Sequence, residues 1–169
     1  PKYFAAPHKE IHPEVIKEYW DILLEVGGAY PRLADIENPT FDDVLAMHDN
    51  PMLSTFYITC TDGGIGEFTL EGKIGSASQV HISFCPWVPL RMKQQASIEI
   101  LDQILNLWQL NGAYVVDTII GIIPVMHKAA RIYARVVGMT EMGILPSGAF
   151  KNGKSVDAVV YTLRYSLQR

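Results

Sequence analysis

Residues 79–108, QVHISFCPWVPLRMKQQASIEILDQILNLW, constrain the fold more than any other stretch. Val80, Ile82 and Phe84 alternate with His81, Ser83 and Cys85. Successive side chains of a strand point to opposite faces, so this reads as a short half-buried strand. Pro86 and Pro89 end it, because neither can donate to a ladder. A helix follows from about Arg91, with Ile98, Leu101, Leu105 and Trp108 lining one face and Asn111-Gly112 closing it. A strand, a tight connection and a helix N-terminus make a natural anion site, since the free N–H groups and the helix dipole both favour a phosphate.

The flanking sequence predicts the rest of the order. Residues 2–6 read as a strand. Pro13 and Glu14 start a helix whose buried stripe is Val15, Tyr19, Ile22 and Val26, closed by Gly27-Gly28. Residues 29–39 read as a loop. Thr40, with Asp43 as its capping-box partner, begins a short helix through His48. Residues 54–60 and 65–71 read as strands around a Thr61-Asp62-Gly63-Gly64 hairpin turn, and Glu71-Gly72-Lys73 begins the next turn. After the organising strand and helix, residues 115–123 read as a strand. Pro124 then opens a helix carrying Val125, Ala129, Ile132, Tyr133 and Val136, closed by Gly138. Residues 139–145 and 156–165 form the last strands around Lys151-Asn152-Gly153-Lys154. The order β-α-α-β-β-β-α-β-α-β-β implies an α/β fold, a mixed, mostly antiparallel sheet of about seven strands covered by helices.

At 169 residues, 49% apolar and 19% charged, the chain reads as one globular domain spanning 1–169. A net charge of −4 without a basic cluster argues against general nucleic-acid binding. No run of about 20 apolar residues or signal peptide is present, so no membrane span is expected, and the expected compartment is cytoplasmic. Cys60 and Cys85 read as reduced core thiols, with a disulfide or a catalytic thiol as the alternatives. The five histidines lack metal-ligand spacing. Gly63-Gly64-Ile65-Gly66 lies in a hairpin with no following helix, so it is no nucleotide loop, and there is no G-x-S-x-G elbow.

The element order resembles the GNAT acyltransferase superfamily over nearly the whole chain. Family members often carry Q/R-x-x-G-x-G/A between the fourth strand and third helix, where backbone amides hold the coenzyme A pyrophosphate. The matching residues here are Arg91-Met92-Lys93-Gln94-Gln95-Ala96; Arg91 and Ala96 fit, and Gln94 replaces glycine. The family's later N-x-x-A and Gly-Phe positions are held by His127, Ala130, Gly138 and Met139. Its general-acid tyrosine position holds Ala134, with Tyr133 one residue earlier, about 100° round the helix. The resemblance implies acetyl-CoA as cofactor, with Phe84, Arg91, Gln94, Gln95, Ala96, His127 and Ala130 as its contacts. It implies transfer of an acetyl group to an amine of a small molecule or protein. GNAT-like proteins of tailed phages are a narrower likeness. They imply the alternative of a non-catalytic head-assembly or virion protein, with phage structural proteins as partners.

A general base needs a pKa near working pH and a place near the coenzyme end of the organising strand. His81, whose residue type titrates near about 6.5, is the best-placed candidate, or else a hydrogen-bonded structural histidine. Glu67 and Glu71 are weaker candidates, expected to face solvent. Asp117 interrupts an apolar strand, either as a structural anchor with a partner or as part of the acceptor site. His127, at a helix N-terminus that disfavours its protonated form, either contacts the coenzyme arm or caps the turn. Tyr133 or water would protonate the leaving thiolate.

Overall fold

The structure is a computed structural model that describes residues 3–7, 10–25, 39–60, 63–110, 116–151 and 153–164. Its elements are β1 (Phe4–Pro7), α1 (Pro13–Glu25), α2 (Phe41–Asp49), β2 (Leu53–Cys60), β3 (Gly63–Ile74), β4 (Ala77–Phe84), α3 (Leu90–Leu110), β5 (Thr118–Pro124), α4 (Lys128–Val136), β6 (Thr140–Lys151) and β7 (Lys154–Arg164). The order is the one the sequence predicts. The strands form a seven-stranded sheet, β1-β2-β3-β4-β5-β7-β6. β4 and β5 run parallel, and every other neighbouring pair is antiparallel.

The register fixes what each face carries. Tyr57, Glu67 and Ser83 stand in one row across β2, β3 and β4, and Thr55, Thr69 and His81 in the next. Tyr19 of α1 lies 3.5 Å from Ser83 Oγ and meets the Tyr57 ring edge-on at 5.8 Å. His48 of α2 stacks on the same Tyr57. Both helices therefore cover this polar face. The other face carries the row Phe56, Phe68, Ile82, with the two phenyl rings stacked at 4.8 Å. Arg131 of α4 reaches Tyr161 on that face, and Tyr133 of α4 bonds Ser97 of α3 at 2.8 Å. α3 is further tied to the β1 end, where Gln103 donates to the Tyr3 carbonyl at 2.9 Å and Glu99 accepts the Tyr3 N–H.

Local signals explain the ends. Thr40 and Asp43 form the expected capping box, Thr40 Oγ1 accepting the Asp43 N–H while Asp43 accepts the Thr40 N–H. Gly138 ends α4 with φ of 94°, a conformation that glycine adopts without cost. Some expectations need correction. In α1 the buried residues are Ile16, Tyr19, Trp20 and Leu23, and Val15 is exposed. In α3, Ile98 is 48% exposed, while Ile100, Leu101, Ile104 and Leu105 are buried. Both helices hold adjacent apolar residues that fit two phases, and packing selects one. Pro124 ends β5 rather than opening a helix, and Gly72 lies at an irregularity within β3, with the turn at Gly75 and Ser76. Gly27-Gly28, most of the loop read at 29–39, Thr61-Asp62, Asn111-Gly112, Asn152 and the Val26 and Trp108 side chains lie outside the described residues.

This phase is testable. Leu101→Ala should cost about 2–5 kcal/mol in urea unfolding, because it empties a packed site. Ile98→Ala should stay within about 0.5 kcal/mol. Equal losses at both positions would contradict the assigned face.

Candidate active site

Among the described residues β4 and β5 pair at Ala77↔Thr118, Ser78↔Ile119 and Gln79↔Ile120. Both strands continue, β4 to Phe84 and β5 to Pro124. Beyond Gln79 they part, as β4 stays paired with β3 through Phe84↔Gly66 and β5 with β7 through Pro124↔Ala158. At this end β3 and β4 lie unusually close, at Gly66. A Cβ there would stand 2.4 Å from the Ser83 carbonyl oxygen and 2.9 Å from Phe84 Cδ1, so only a glycine lets β4 lie this close to β3. The parting of β4 from β5 leaves a crevice between the two strands, open at their C-terminal ends.

α3 begins at that end. The Lys93 N–H donates to the Pro89 carbonyl at 3.0 Å, which leaves the N–H groups of Leu90, Arg91 and Met92 as first-turn donors without an intrahelical acceptor. Residues 91–96 are therefore the opening turns of the helix rather than a loop. Ala96 is fully buried, Phe84 and Gln94 are half-buried, and exposed Gln95 donates to Glu99 at 3.1 Å. Because β4, β5 and β6 run the same way, Arg91, Lys93, Lys128 and Lys151 all gather at this end of the sheet. An anion there would meet free amides, a helix dipole and basic side chains.

On the polar face beside the crevice, His81 lies two residues past the last β4–β5 pair. Its Nε2 is 3.0 Å from Glu71 Oε2 and 3.0 Å from Gln79 Nε2. One N–H cannot donate to the carboxylate while its nitrogen also accepts from the amide. The carboxylate is the stronger acceptor, which favours the tautomer that donates Nε2–H to Glu71. His81 and Glu71 are both partly exposed, so the pair is reachable. Glu67, expected at the surface, is instead buried at 4% exposure, because its row lies beneath Tyr19. Burial, then the Glu67 carboxylate, drives the Tyr19 phenol far above its ordinary value of 10.0. Burial likewise pushes the Cys85 thiol up to about 11. A thiol so far from ionising is a poor nucleophile at neutral pH. Both cysteines are free, as the sequence implies.

The remaining candidates fall around α4 and β5. Tyr133 is half-buried and hydrogen-bonded to Ser97, and burial raises its pKa. Ala134, at the family's tyrosine position, is buried. His127 stands at the N-cap of α4 without a side-chain capping bond and contacts Lys151 Nζ. Ala130 is half-buried, one turn before Ala134. Asp117 lies just before β5 and is not a buried anchor; hydrogen bonds from Ser76 and then Thr118 hold its pKa down. A separate cleft of about 380 Å³, lined by Thr140, Met142, Thr162, Leu163 and Arg164, lies on the β6–β7 side. No group of three or more metal-ligating side chains exists among the described residues. No helix among them is long and apolar enough to cross a membrane. The sequence missed the Ser97–Tyr133 bond and the burial of Glu67, because both depend on which faces of separate elements meet.

No protein-family model and no curated protein sequence matches the chain. Solved structures do. A spermidine N-acetyltransferase chimera from Vibrio cholerae and hSSAT superposes with a TM-score of 0.71 at 11% identity, over 97% of this chain and 96% of that one. The Salmonella typhimurium acetyltransferase that modifies the N-terminal serine of 50S ribosomal subunit protein L7/L12 gives 0.70 at 12% identity, over 97% and 94%. A ribosomal L7/L12 alpha-N-protein acetyltransferase in complex with coenzyme A gives 0.68 at 10%, over 96% and 94%.

The buried phenol and thiol set an alkaline limit on the fold. Both are neutral in the folded chain and ionise more readily once unfolded. Their stabilisation is thus complete below about pH 9 and is lost as pH rises through 11 and beyond. The urea midpoint should fall between about pH 9 and 11, and fall less steeply in Tyr19→Phe above the ordinary tyrosine value. Identical slopes for both proteins would show that Tyr19 ionises freely in the fold.

Proposed function

We propose that this chain, which has the GNAT fold, transfers an acetyl group from acetyl-CoA to an amine. The observation that carries this reading is the crevice: the β4–β5 ladder stops at Gln79 and Ile120, and the free amides of α3 stand at its mouth. The residues present suit the coenzyme. The N–H groups of Leu90, Arg91 and Met92, with the Arg91 and Lys93 side chains, would hold a pyrophosphate. The β4 edge over residues 80–84, which has no ladder pairing with β5, would meet the amides of an extended arm. Phe84, Gln94, Gln95, Ala96, His127 and Ala130 surround the same end. Acetyl-CoA, when bound, supplies an acyl group activated as a thioester.

In this reading His81 Nδ1 removes a proton from the acceptor ammonium, and Glu71 holds the imidazole in the tautomer that can do so. The amine nitrogen forms its bond to the acyl carbon as the carbon–sulfur bond breaks. Tyr133, which shares a hydrogen bond with Ser97, or water would supply the proton that the leaving thiolate needs. Direct transfer suits the raised Cys85, since no thiol is needed to carry the acyl group.

A second reading has one specific observation in its favour. Ala134 is buried, and Tyr133 is turned toward Ser97. A GNAT-fold protein without catalysis, serving assembly such as that of a phage head, needs no proton donor there.

His81→Gln should lower kcat/KM for amine acetylation at least about 10²-fold and leave coenzyme affinity unchanged. Unaltered turnover would remove His81 from the chemistry. By calorimetry, acetyl-CoA should bind with a Kd on the order of 0.1 mM, because Gln94 crowds a backbone that glycine would leave open. No heat at millimolar coenzyme would favour the assembly reading.

A further inference from the structure

The sheet face under α1 is covered over one half and more open over the other. Tyr19 and His48 set α1 and α2 over β2 to β4. Across the crevice, Ile120 and Ile122 of β5 and Val160 and Thr162 of β7 are only half-buried. The register makes these residues one floor. Gln79 lies opposite Ile120, Ile120 opposite Thr162, and Thr162 opposite Thr140, a continuous row through β4, β5, β7 and β6. Gln79 contacts His81 on this same face.

The row runs into the cleft of about 380 Å³ lined by Thr140, Met142, Thr162, Leu163 and Arg164. Such a volume suits a small organic molecule. Met142 and Leu163 make part of the lining apolar, the threonines bring hydroxyls, and Arg164 brings a positive charge. Asp117 lies within the field of Arg164, but its carboxylate already accepts from Ser76 and Thr118. A guanidinium offers five donors in a planar fork that matches a carboxylate.

That fork lies at a definite reach from the candidate base. Neighbouring strands stand about 4.8 Å apart, and two residues of a strand rise about 6.6 Å. His81 is two strands across and two residues along from Thr162, hence about 12 Å away.

We propose, on the footing of acetyl transfer to an amine, that this cleft holds the carboxylate end of the acceptor. The acceptor class is then a short amino carboxylate, with its amine at His81 and its carboxylate on Arg164, about 10–12 Å apart. An α-amino acid is too short for this span. An acceptor with a second ammonium in place of the carboxylate meets Arg164 and is repelled.

Triglycine spans about 10 Å when extended, and triglycinamide lacks only its carboxylate charge. Steady-state kinetics of the full chain with acetyl-CoA compares the two. kcat/KM should be at least about 10-fold higher for triglycine, with the difference falling on KM. Arg164→Gln should abolish that preference. Met142→Glu, which sets a carboxylate at an exposed position of the cleft, should reverse it. Equal turnover of the two peptides by the wild type, or a preference that survives Arg164→Gln, overturns the role of the cleft and leaves acetyl transfer standing. Should Arg164→Gln not fold, an undiminished preference in Met142→Glu overturns it equally. Transfer to neither peptide also overturns it, and ethanolamine as acceptor then shows separately whether the chain transfers acetyl groups at all.

Discussion

Three parallel rungs between β4 and β5 hold two half-sheets together. β1 to β4 are antiparallel neighbours, and so are β5, β7 and β6. Among the described residues, the pairs from Ala77 to Gln79 and the Asp117 N–H donated to the Ser76 carbonyl just before them join the halves within the sheet. α3 must cross from one half to the other, as parallel neighbours require a long connection. Above the sheet, Ser97 of α3 and Tyr133 of α4 add a second tie, since each helix follows a strand of a different half. The crevice exists because these ties stop short of the strand ends. A fourth or fifth rung would close the opening in front of His81 and the α3 amides.

Much of this was legible in the residues. The capping box, the glycine after α4 and the prolines after β4 are local chemistry, and each has a mechanism that tertiary packing did not override. No local pattern in the residues marks the parting of β4 and β5. Helix phase was the weak point. Val15-Ile16 and Ile98 with Ile100 each offer two stripes, and only the neighbouring sheet decides between them. α4 failed differently: of its strip Val125, Ala129, Ile132, Tyr133 and Val136, Val125 and Tyr133 pack against the core, while Ile132 and Val136 are exposed and Ala134 is buried instead.

The polar face under α1 was the least legible part of the site. Glu67 alternates with Phe68 as a half-exposed strand residue should, yet α1 covers it. Burying a carboxylate costs several kcal/mol unless hydrogen bonds meet it. The threonines 55 and 69, with hydroxyls 3.1 Å apart, show the same preference for polar contacts on this face. This half of the interior is built from directional bonds, while the half under α3 and α4 is built from shape. The candidate base stands at the margin of the polar half.

The gathering of Arg91, Lys93, Lys128 and Lys151 at one end has a kinetic meaning. The chain carries 18 acidic and 14 basic residues, so a small anion meets repulsion over much of the surface and attraction at that end. These four basic side chains make a local positive field despite the net charge of −4. Such a field guides an anionic ligand toward the crevice before any contact forms, and it decays within a Debye length of about 8 Å at physiological ionic strength. Added salt would therefore slow the arrival of a phosphate-bearing ligand far more than it would hasten its departure.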